Sequence, residues 1–302
     1  NRSADFNQFQ PKVTLSWAAS EAVNWYASYG VGFRSGGFNS VGTSDTLNFW
    51  FNSGFGGPGE AVDAQLKITD DYDKEVSTSF EVGFKAELMD RRVRINGAAF
   101  RTDVDDNQFF EFFAGPFGLL RTVTTIDELT ISGFEIDASY AMTENLTVYG
   151  GAGFLNSEIE ENANRPLSVG NDVPQAPGSS GNFGVEWVSS VGSGMDLVAR
   201  IDYQYIGAMH FHTLQGEQTP TIWNAFFAPG FNSDFSKSER DSYSTVDARI
   251  SLEAVKWTLT AWGRNLTDEN YLQEVIPAPE FGGTFNHPSA LQSYGLDFSY
   301  RF

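Results

Sequence analysis

Apolar and polar residues alternate along most of this chain. In the last nine residues, 294–302, the even positions are all apolar and the odd positions are polar or glycine. Because the side chains of a strand point alternately to opposite faces, this segment is predicted to be a strand with one apolar face. The same pattern predicts ten further strands, at 13–17, 23–33, 76–88, 93–104, 134–140, 146–154, 183–187, 195–205, 246–252 and 257–263.

The connections between these strands alternate in length. Short turns are predicted at 18–22, 89–92, 141–145, 188–194 and 254–256. Long loops rich in Gly, Asn and Phe are predicted at 39–71, 107–128, 158–177, 206–241 and 271–289. Bacterial outer-membrane barrels have short periplasmic turns and long extracellular loops. The alternation therefore predicts an all-β fold, a transmembrane antiparallel β-barrel, and disfavours a soluble meander.

The number of strands indicates part of a barrel. With the long loops outside, the first and the last of the eleven strands both run towards the periplasm. Barrels of this class normally have an even number of strands, and an open sheet would leave unpaired backbone groups in lipid. We therefore expect residues 1–302 to form one incomplete domain, the C-terminal portion of a larger barrel.

The two faces of the predicted sheet differ in chemistry. Aromatic residues fall on the apolar face at the short-turn rim, where an interfacial girdle belongs: Trp17, Trp25, Tyr140, Trp187, Trp257 and Phe302. The opposite face is expected to line a polar lumen and to form cross-strand ion pairs. Its charged residues are Glu81 and Lys85, Glu135 and Asp137, Arg200 and Asp202, Asp247 and Arg249, and Asp297 and Arg301.

The composition of the chain argues against several classes of protein. The 302 residues include no cysteine, which excludes disulfides and thiolate metal sites. A net charge of −20 argues against nucleic acid as a partner, because phosphate binding needs clustered Lys and Arg. No run approaches the ~18 apolar residues of a membrane helix, which leaves barrels open because their strands carry apolar residues in alternation.

Five short motifs resemble those of TonB-dependent outer-membrane receptors, in the order found in that family. They are YGVGFRSGGFN at 29–39, FEVGFK at 80–85, ISGFEI at 131–136, GRNLTDENY at 263–271 and the final Tyr-Arg-Phe. Together they cover nearly the whole chain. One departure is the segment 287–293, which lacks the Arg that often precedes the last Tyr-Gly of the family and puts one loop contact in doubt.

The resemblance implies a barrel of about 22 strands around an N-terminal plug, of which this chain supplies roughly the last half. It implies active import of a scarce nutrient, most often a ferric siderophore, across the bacterial outer membrane. The expected partners are the TonB complex, acting through a plug outside this sequence, a small-molecule ligand, lipopolysaccharide and outer-membrane lipid. Phe302 matches the aromatic read by the barrel-assembly machinery, so we expect an assembly signal there.

Candidate ligand contacts lie in the long loops and at one strand end. Exposed aromatics can bind planar or apolar surfaces, although such rings can equally bury against each other to order a loop. Arg34 is a candidate for an anionic ligand, with lumen pairing as the alternative. Two imidazoles make an incomplete metal site, so no metal site is assigned. The candidates are Arg34, Trp50, Phe51, His210, His212, Trp223, Phe226 and Phe227.

The sequence predicts no cofactor, and Ca²⁺ bound by acidic residues is the one candidate to test. Acidic residues cluster at Asp70, Asp71 and Asp73 and again at Asp103, Asp105 and Asp106. Carboxylate oxygens are ligands for Ca²⁺, although acidic loop ends are also commonly just solvated.

The sequence leaves two other functions open. A passive porin-like or adhesin-like barrel would lack a plug and conduct ions without TonB. An outer-membrane protease or lipase would need a catalytic group at the outer rim, where the histidines available are His210, His212 and His287. No assembled triad is visible, so we expect a transport protein and no enzyme.

Overall fold

The computed structural model describes residues 2–52, 64–192, 194–220, 232–278 and 283–302. Eleven strands form one antiparallel sheet in which each strand pairs with the next along the chain. They are β1 (Lys12–Ala18), β2 (Val23–Arg34), β3 (Glu75–Leu88), β4 (Val93–Gly115), β5 (Gly118–Ala141), β6 (Leu146–Glu161), β7 (Ser179–Ser190), β8 (Met195–Ile206), β9 (Tyr243–Ala254), β10 (Trp257–Arg264) and β11 (Ser293–Tyr300). All eleven predicted strands are present, and β1 and β11 form the two edges.

The outward face of this sheet is apolar and open to the surroundings. Leu296 and Phe298 of β11 are 75% and 67% exposed. At the short-turn rim, Trp17 lies opposite Trp25 across the β1–β2 pair. Exposed apolar surface on this scale marks a face that contacts another apolar phase. The predicted lipid-facing surface and its aromatic rim are both present.

The apolar band has an upper limit on β4. Arg101 lies opposite the outward-facing Phe80 and forms an ion pair with Asp103, 2.8 Å from Nη2 to Oδ1. A charge is costly on a lipid-facing surface. The part of β4 beyond Arg101, together with its partner in β5, therefore stands above the apolar band.

The prediction of a loop at 107–128 was wrong. β4 and β5 continue as a paired hairpin to a turn between Gly115 and Gly118. Their alternation changes phase on the way: Asp106 adopts a φ of 55°, and the β5–β6 pairing shifts between Glu128 and Leu129. A period-two pattern with a phase change in its middle looks irregular in sequence, although the strands are continuous.

The other long connections contain short elements. In the described part of the chain, the helical ones are α1 (Thr43–Leu47), a π-helical turn (Asn48–Asn52) and two 3₁₀ turns (Pro166–Ser168 and Ser236–Ser238). Four two-stranded ribbons in the same residues pair Gly37–Phe38 with Asp71–Tyr72, Met209–His210 with Glu239–Arg240, Gln218–Pro220 with Asn232–Asp234, and Leu272–Ala278 with Gly283–Pro288. No helix among the described residues is long and apolar enough to span a membrane.

A small apolar core forms outside the sheet, where the first long connection packs on the β4–β5 hairpin. Its buried members are Leu47, Phe51, Leu66, Ile68 and Phe113. Asn39 fastens the same connection to the edge of β5: its amide Nδ2 donates to the Val123 carbonyl, and its Oδ1 accepts from the Val123 N–H, each at 2.9 Å. The hairpin edge is thereby covered.

The lumen-facing charges pair differently from the prediction. The register places Arg200 opposite Arg249 and Asp202 opposite Asp247, so cross-strand partners carry like charges. Arg200 instead pairs along its own strand with Asp202, 2.7 Å from Nε to Oδ2. Tyr149 of β6 also donates to Asp202, at 2.6 Å. The expectation of a cross-strand ion pair was therefore wrong for Arg200, whose partner lies within its own strand.

Candidate ligand-binding site

A cavity of about 430 Å³ lies at the end of the sheet that carries the long connections. It is bounded by the β4–β5 hairpin, the connections after β6 and β8, and the ribbon strand Leu272–Ala278. Among the described residues, six phenylalanines line it: Phe109, Phe110, Phe112, Phe113, Phe211 and Phe235. Its volume falls within the ~300–1,000 Å³ typical of small-molecule sites.

A buried ion pair supports this cavity. Arg165 donates from Nη2 to Oε2 of Glu111 at 2.7 Å, and the two side chains are 8% and 2% exposed. Burial alone would raise the pKa of Glu111, but the charge and the hydrogen bonds of Arg165 hold it below its ordinary value. The carboxylate is therefore ionised, as a hydrogen-bonded buried pair requires.

His212 is the third member of this group. Its ring stacks on Phe235 at a centroid distance of 4.4 Å, and its Nδ1 accepts the Leu214 N–H at 3.0 Å. Burial lowers the pKa of His212 to about 4, so the imidazole is neutral at physiological pH. With Nδ1 acting as an acceptor, the proton is on Nε2, which lies 4.0 Å from Oε2 of Glu111.

The three side chains join three separate parts of the chain. Glu111 belongs to the β4–β5 hairpin, Arg165 to the connection after β6 and His212 to the connection after β8. Next to them, Asn164 accepts the N–H of Lys67 at 3.1 Å, which attaches the first long connection as well. We call Glu111, Arg165 and His212 the loop clasp, because the shape of the cavity depends on their contact.

Two further arginines give the cavity wall positive charge. Arg34 forms an ion pair with Glu75 and donates to the Gln108 carbonyl at 2.9 Å. Arg121 lies over the ring of Phe110, with its Cζ 4.1 Å from the centroid, and has no acidic partner among the described residues. Arg121 is exposed, so its guanidinium is available to an anionic group in the cavity.

The structure brings two of the predicted contacts to the cavity. Arg34 and His212 line it. Phe51 is 2% exposed, which corrects the expectation that its ring faces a ligand. Trp50 is half-buried and packs against the same core, and neither residue lines the cavity. Both rings contact Phe117 in the turn of the β4–β5 hairpin, and these contacts order their loop.

The remaining candidates have other positions. His210 pairs through its backbone with Glu239 and does not line the cavity. The predicted contacts Trp223, Phe226 and Phe227 lie outside the described residues. Phe302 is exposed at the end of β11, and its role in assembly stays a prediction.

Sequence reasoning missed the residues that build the cavity, Glu111, Arg165 and Arg121 among them. One local signal was available: Glu111 is the single charge within the run Phe109-Phe110-Glu111-Phe112-Phe113. An isolated carboxylate between aromatic residues requires a cationic partner if the run is buried. That partner, Arg165, is 54 residues away, so no local pattern identifies it.

The acidic loop clusters show no metal geometry. Among the residues that the structure describes, no group of three or more His, Asp or Glu side chains is placed to hold an ion. Hydrogen bonds from the N–H groups of Ser44 and Gly42 lower the pKa of Asp70. Calcium binding at these clusters stays a prediction.

The chain matches the model of a protein family described as TonB dependent receptor-like, beta-barrel, over residues 1–266. The chain belongs to this family. The resemblance carried by the five sequence motifs is therefore confirmed. Members of the family are outer-membrane β-barrel transport proteins and are not enzymes.

Known relatives agree with this assignment. The probable TonB-dependent receptor BfrD of Bordetella pertussis is 26% identical over 174 residues, which are 57% of this chain and 20% of that protein. The probable TonB-dependent siderophore receptor PiuA of Acinetobacter baumannii is 22% identical over 184 residues, 58% of this chain and 21% of that protein. The matched part of the chain thus spans about a fifth of the length of these curated relatives.

A solved structure gives the same fold. The ferric yersiniabactin uptake receptor FyuA of Yersinia pestis superposes with a TM-score of 0.68 at 16% identity. The alignment covers 96% of this chain and 37% of that one. At this identity the likeness establishes the barrel fold alone.

Proposed function

We propose that the complete receptor imports a scarce nutrient across the outer membrane, with a ferric siderophore as its favoured cargo, using energy from the TonB complex. Membership of the TonB-dependent receptor family and the siderophore receptor among the relatives support this proposal. The reaction is binding followed by gated passage, and no covalent bond is made or broken. TonB acts on a plug that lies outside residues 1–302.

The observation that carries the proposal is the phenylalanine-lined cavity at the long-loop end of the sheet. Aromatic rings offer flat apolar surfaces to a ligand of similar character. Arg121 adds a positive charge without an acidic partner among the described residues, which favours a ligand that carries anionic oxygen atoms. An iron chelate with aromatic or apolar parts and a net negative charge meets both conditions.

Two sets of side-chain contacts fix the shape of the cavity before the ligand binds. The loop clasp holds the hairpin and two connections in contact, and the small core around Phe51 packs on Phe113 of the same hairpin. A preformed cavity loses less conformational entropy on binding than mobile loops would. The ligand therefore meets rings that already have fixed positions.

The test uses the full-length gene in its own host under iron limitation. Cells are supplied with radioactive iron bound to a panel of siderophores, and uptake is compared between wild type, a deletion of this gene and a TonB-deficient strain. We expect at least one chelate to require both the receptor and TonB. Uptake that needs the receptor and not TonB would instead indicate a passive porin-like barrel.

A charge reversal tests the cavity itself. Arg121→Glu is expected to weaken binding of the transported chelate at least tenfold, since it places a carboxylate where an anionic ligand binds. The matched control is Arg91→Glu, which makes the same change at an exposed position in the short turn between β3 and β4. If both variants bind the chelate equally well, Arg121 does not contribute to ligand binding. The proposal would then lose the positively charged wall of the cavity.

A further inference from the structure

Arg240 is a buried arginine whose guanidinium has two nitrogen atoms without a hydrogen-bond acceptor. The residue is 7% exposed and lies in the ribbon that pairs Met209–His210 with Glu239–Arg240. Its Nε and Nη2 atoms are buried and have no hydrogen-bond partner among the described residues. Among the described residues no carboxylate comes within ion-pair distance of it, although Glu239 and Asp241 are its neighbours in sequence.

Aromatic rings surround this guanidinium. Its Cζ lies 4.8 Å from the ring centroid of Tyr243 and 5.8 Å from that of Phe211. Tyr243 in turn stacks on Tyr271, with centroids 3.6 Å apart and planes 8° from parallel. Ring faces attract a cation but supply no lone pairs in the plane of the guanidinium, so the N–H groups of Nε and Nη2 remain without an acceptor.

A buried charge in this condition is strongly unfavourable. Buried guanidinium groups are normally paired or fully hydrogen-bonded, because removal from water costs more than cation–π contacts return. The chain has 39 acidic residues and 19 basic ones, so a carboxylate was available in excess. That none of the described ones pairs with Arg240 points to an acceptor from outside the described chain.

The Arg240 site lies on the lumen-facing, aqueous side of the sheet. Tyr243 shares its alternation phase with Asp247 and Arg249 of β9, which face the lumen. The outward face of the same strand carries Ile250, 48% exposed. The head group of a lipid outside the barrel is therefore on the wrong side. We take a dissolved anion as the acceptor, and a carboxylate from the part of the receptor outside residues 1–302 is the alternative that the unfolding measurement in chloride tests.

We propose that Arg240 is the binding residue of an oxyanion site behind the ligand cavity, where a phosphate or carboxylate accepts from Nε and Nη2 together. The two N–H groups on that edge of a guanidinium point in parallel and match the two oxygens of an oxyanion. Tyr243, which stacks on Tyr271, covers one face of the guanidinium, and this partial shielding from water strengthens the contact. The ring of Phe211 lies between this site and the ligand cavity, whose wall it also forms.

The bound oxyanion would connect two loops. Arg240 belongs to the connection between β8 and β9, and Tyr271 to the connection between β10 and β11. Anion binding at Arg240 therefore orders the Tyr243–Tyr271 stack and stabilises both connections at once. This effect is independent of import, because it requires neither TonB nor the transported ligand.

The test is thermal unfolding of the purified complete receptor in detergent, titrated with inorganic phosphate or acetate against chloride at constant ionic strength. The variants are Arg240→Met and Arg240→Lys. The control is Arg264→Met, which removes an exposed arginine that likewise stacks on an aromatic ring, Trp262, at 5.1 Å. We expect a saturable rise in midpoint for wild type and the control, a smaller rise for the lysine variant and none for the methionine variant.

Two results would overturn the proposal. One is the lack of any phosphate- or acetate-dependent rise in wild type, which would mean that the site holds water only. The other is a rise of the same size in Arg240→Met, which would place the anion elsewhere.

A second measurement distinguishes the loss of anion binding in Arg240→Met from a folding defect in that variant. In chloride alone, Arg240→Met should unfold at the wild-type temperature or above it, because the substitution removes an unpaired buried charge. A clearly lower midpoint in chloride would show that Arg240 already has its acceptors, and would also contradict the proposal.

Discussion

Nη2 of Arg165 lies 2.7 Å from Oε2 of Glu111, and this buried ion pair joins the β4–β5 hairpin to the connection after β6, 54 residues further along the chain. The pair stabilises the outer loops only while both charges are present. Removal of one partner leaves the other buried without compensation, which typically costs about 3–5 kcal/mol.

The first prediction follows from this pair. Glu111→Gln should open the outer loops, because Arg165 loses its counter-charge, while the membrane part of the sheet stays folded. Limited proteolysis of the complete receptor in detergent measures the loops separately from the barrel. The double variant Glu111→Gln/Arg165→Met should recover much of the protection, since it removes both charges. If the double variant is cleaved as fast as the single one, the ion pair is not the source of loop stability.

The second prediction concerns acidity. His212 is neutral in the closed loops with a pKa of about 4, against an ordinary value of 6.5. Opened loops therefore bind a proton more readily, and acid favours opening. The stability contributed by the closed form is complete above pH 6.5 and falls as the pH drops from 6.5 towards 4.

Hydrogen exchange at the Leu214 amide measures this effect, after correction for the intrinsic exchange rate. We expect opening to increase about thirtyfold between pH 7.5 and pH 5. His212→Asn keeps an acceptor for Leu214 but does not titrate, so its exchange should be nearly independent of pH in this range. The same pH dependence in that variant would assign the effect to another group.

A third prediction tests the lumen-facing packing. The ring of Tyr149 occupies the space that a Cβ at Gly184 would need, and its hydroxyl donates to Asp202. Gly184→Ala should displace the ring and lower stability by about 1–3 kcal/mol. Gly181→Ala is the control, because a Cβ there meets only an ordinary contact at 3.6 Å. Heat-modified electrophoretic mobility gives both unfolding midpoints, and equal midpoints would refute the close packing.

The fourth prediction tests the lipid-facing surface. Leu296→Arg places a charge on the outward face of β11 and should reduce stability in the bilayer by about 2–4 kcal/mol. Ser299→Arg makes a similar change on the polar face of the same strand and should cost much less. Urea unfolding of the complete receptor in lipid vesicles compares them. Equal losses would mean that the two faces have the same surroundings.

The strands of the sheet were predictable because alternation is a local property. The last strand, β11, shows its apolar and polar faces within nine residues of sequence, and short turns fix its neighbours. The upper part of β4 was missed because the phase of alternation changes at Asp106, where the backbone has a positive φ. A local pattern does not reveal that two strands stay paired across such a change.

Contacts between residues far apart in sequence were the other feature that the sequence could not predict. Arg200 and Asp202 were correctly placed on the polar face, but the register with β9 decides which charges meet, and it puts like charges opposite each other. His212 was predicted as a candidate ligand contact in a long loop, and nothing in the local sequence indicated that it is buried. It is buried because Glu111, about a hundred positions earlier in the chain, and Phe235 both pack against it. Such contacts depend on the arrangement of whole loops.

The phenylalanine-lined cavity between the outer loops is the proposed binding site of the imported chelate. A structure of the complete receptor with the chelate identified by the uptake experiment tests this proposal most directly. We predict density for the chelate against Phe110 and Phe112, with an anionic oxygen atom within hydrogen-bond distance of Arg121. Density for the chelate elsewhere, with this cavity filled only by water or closed by its own side chains, would contradict the proposal.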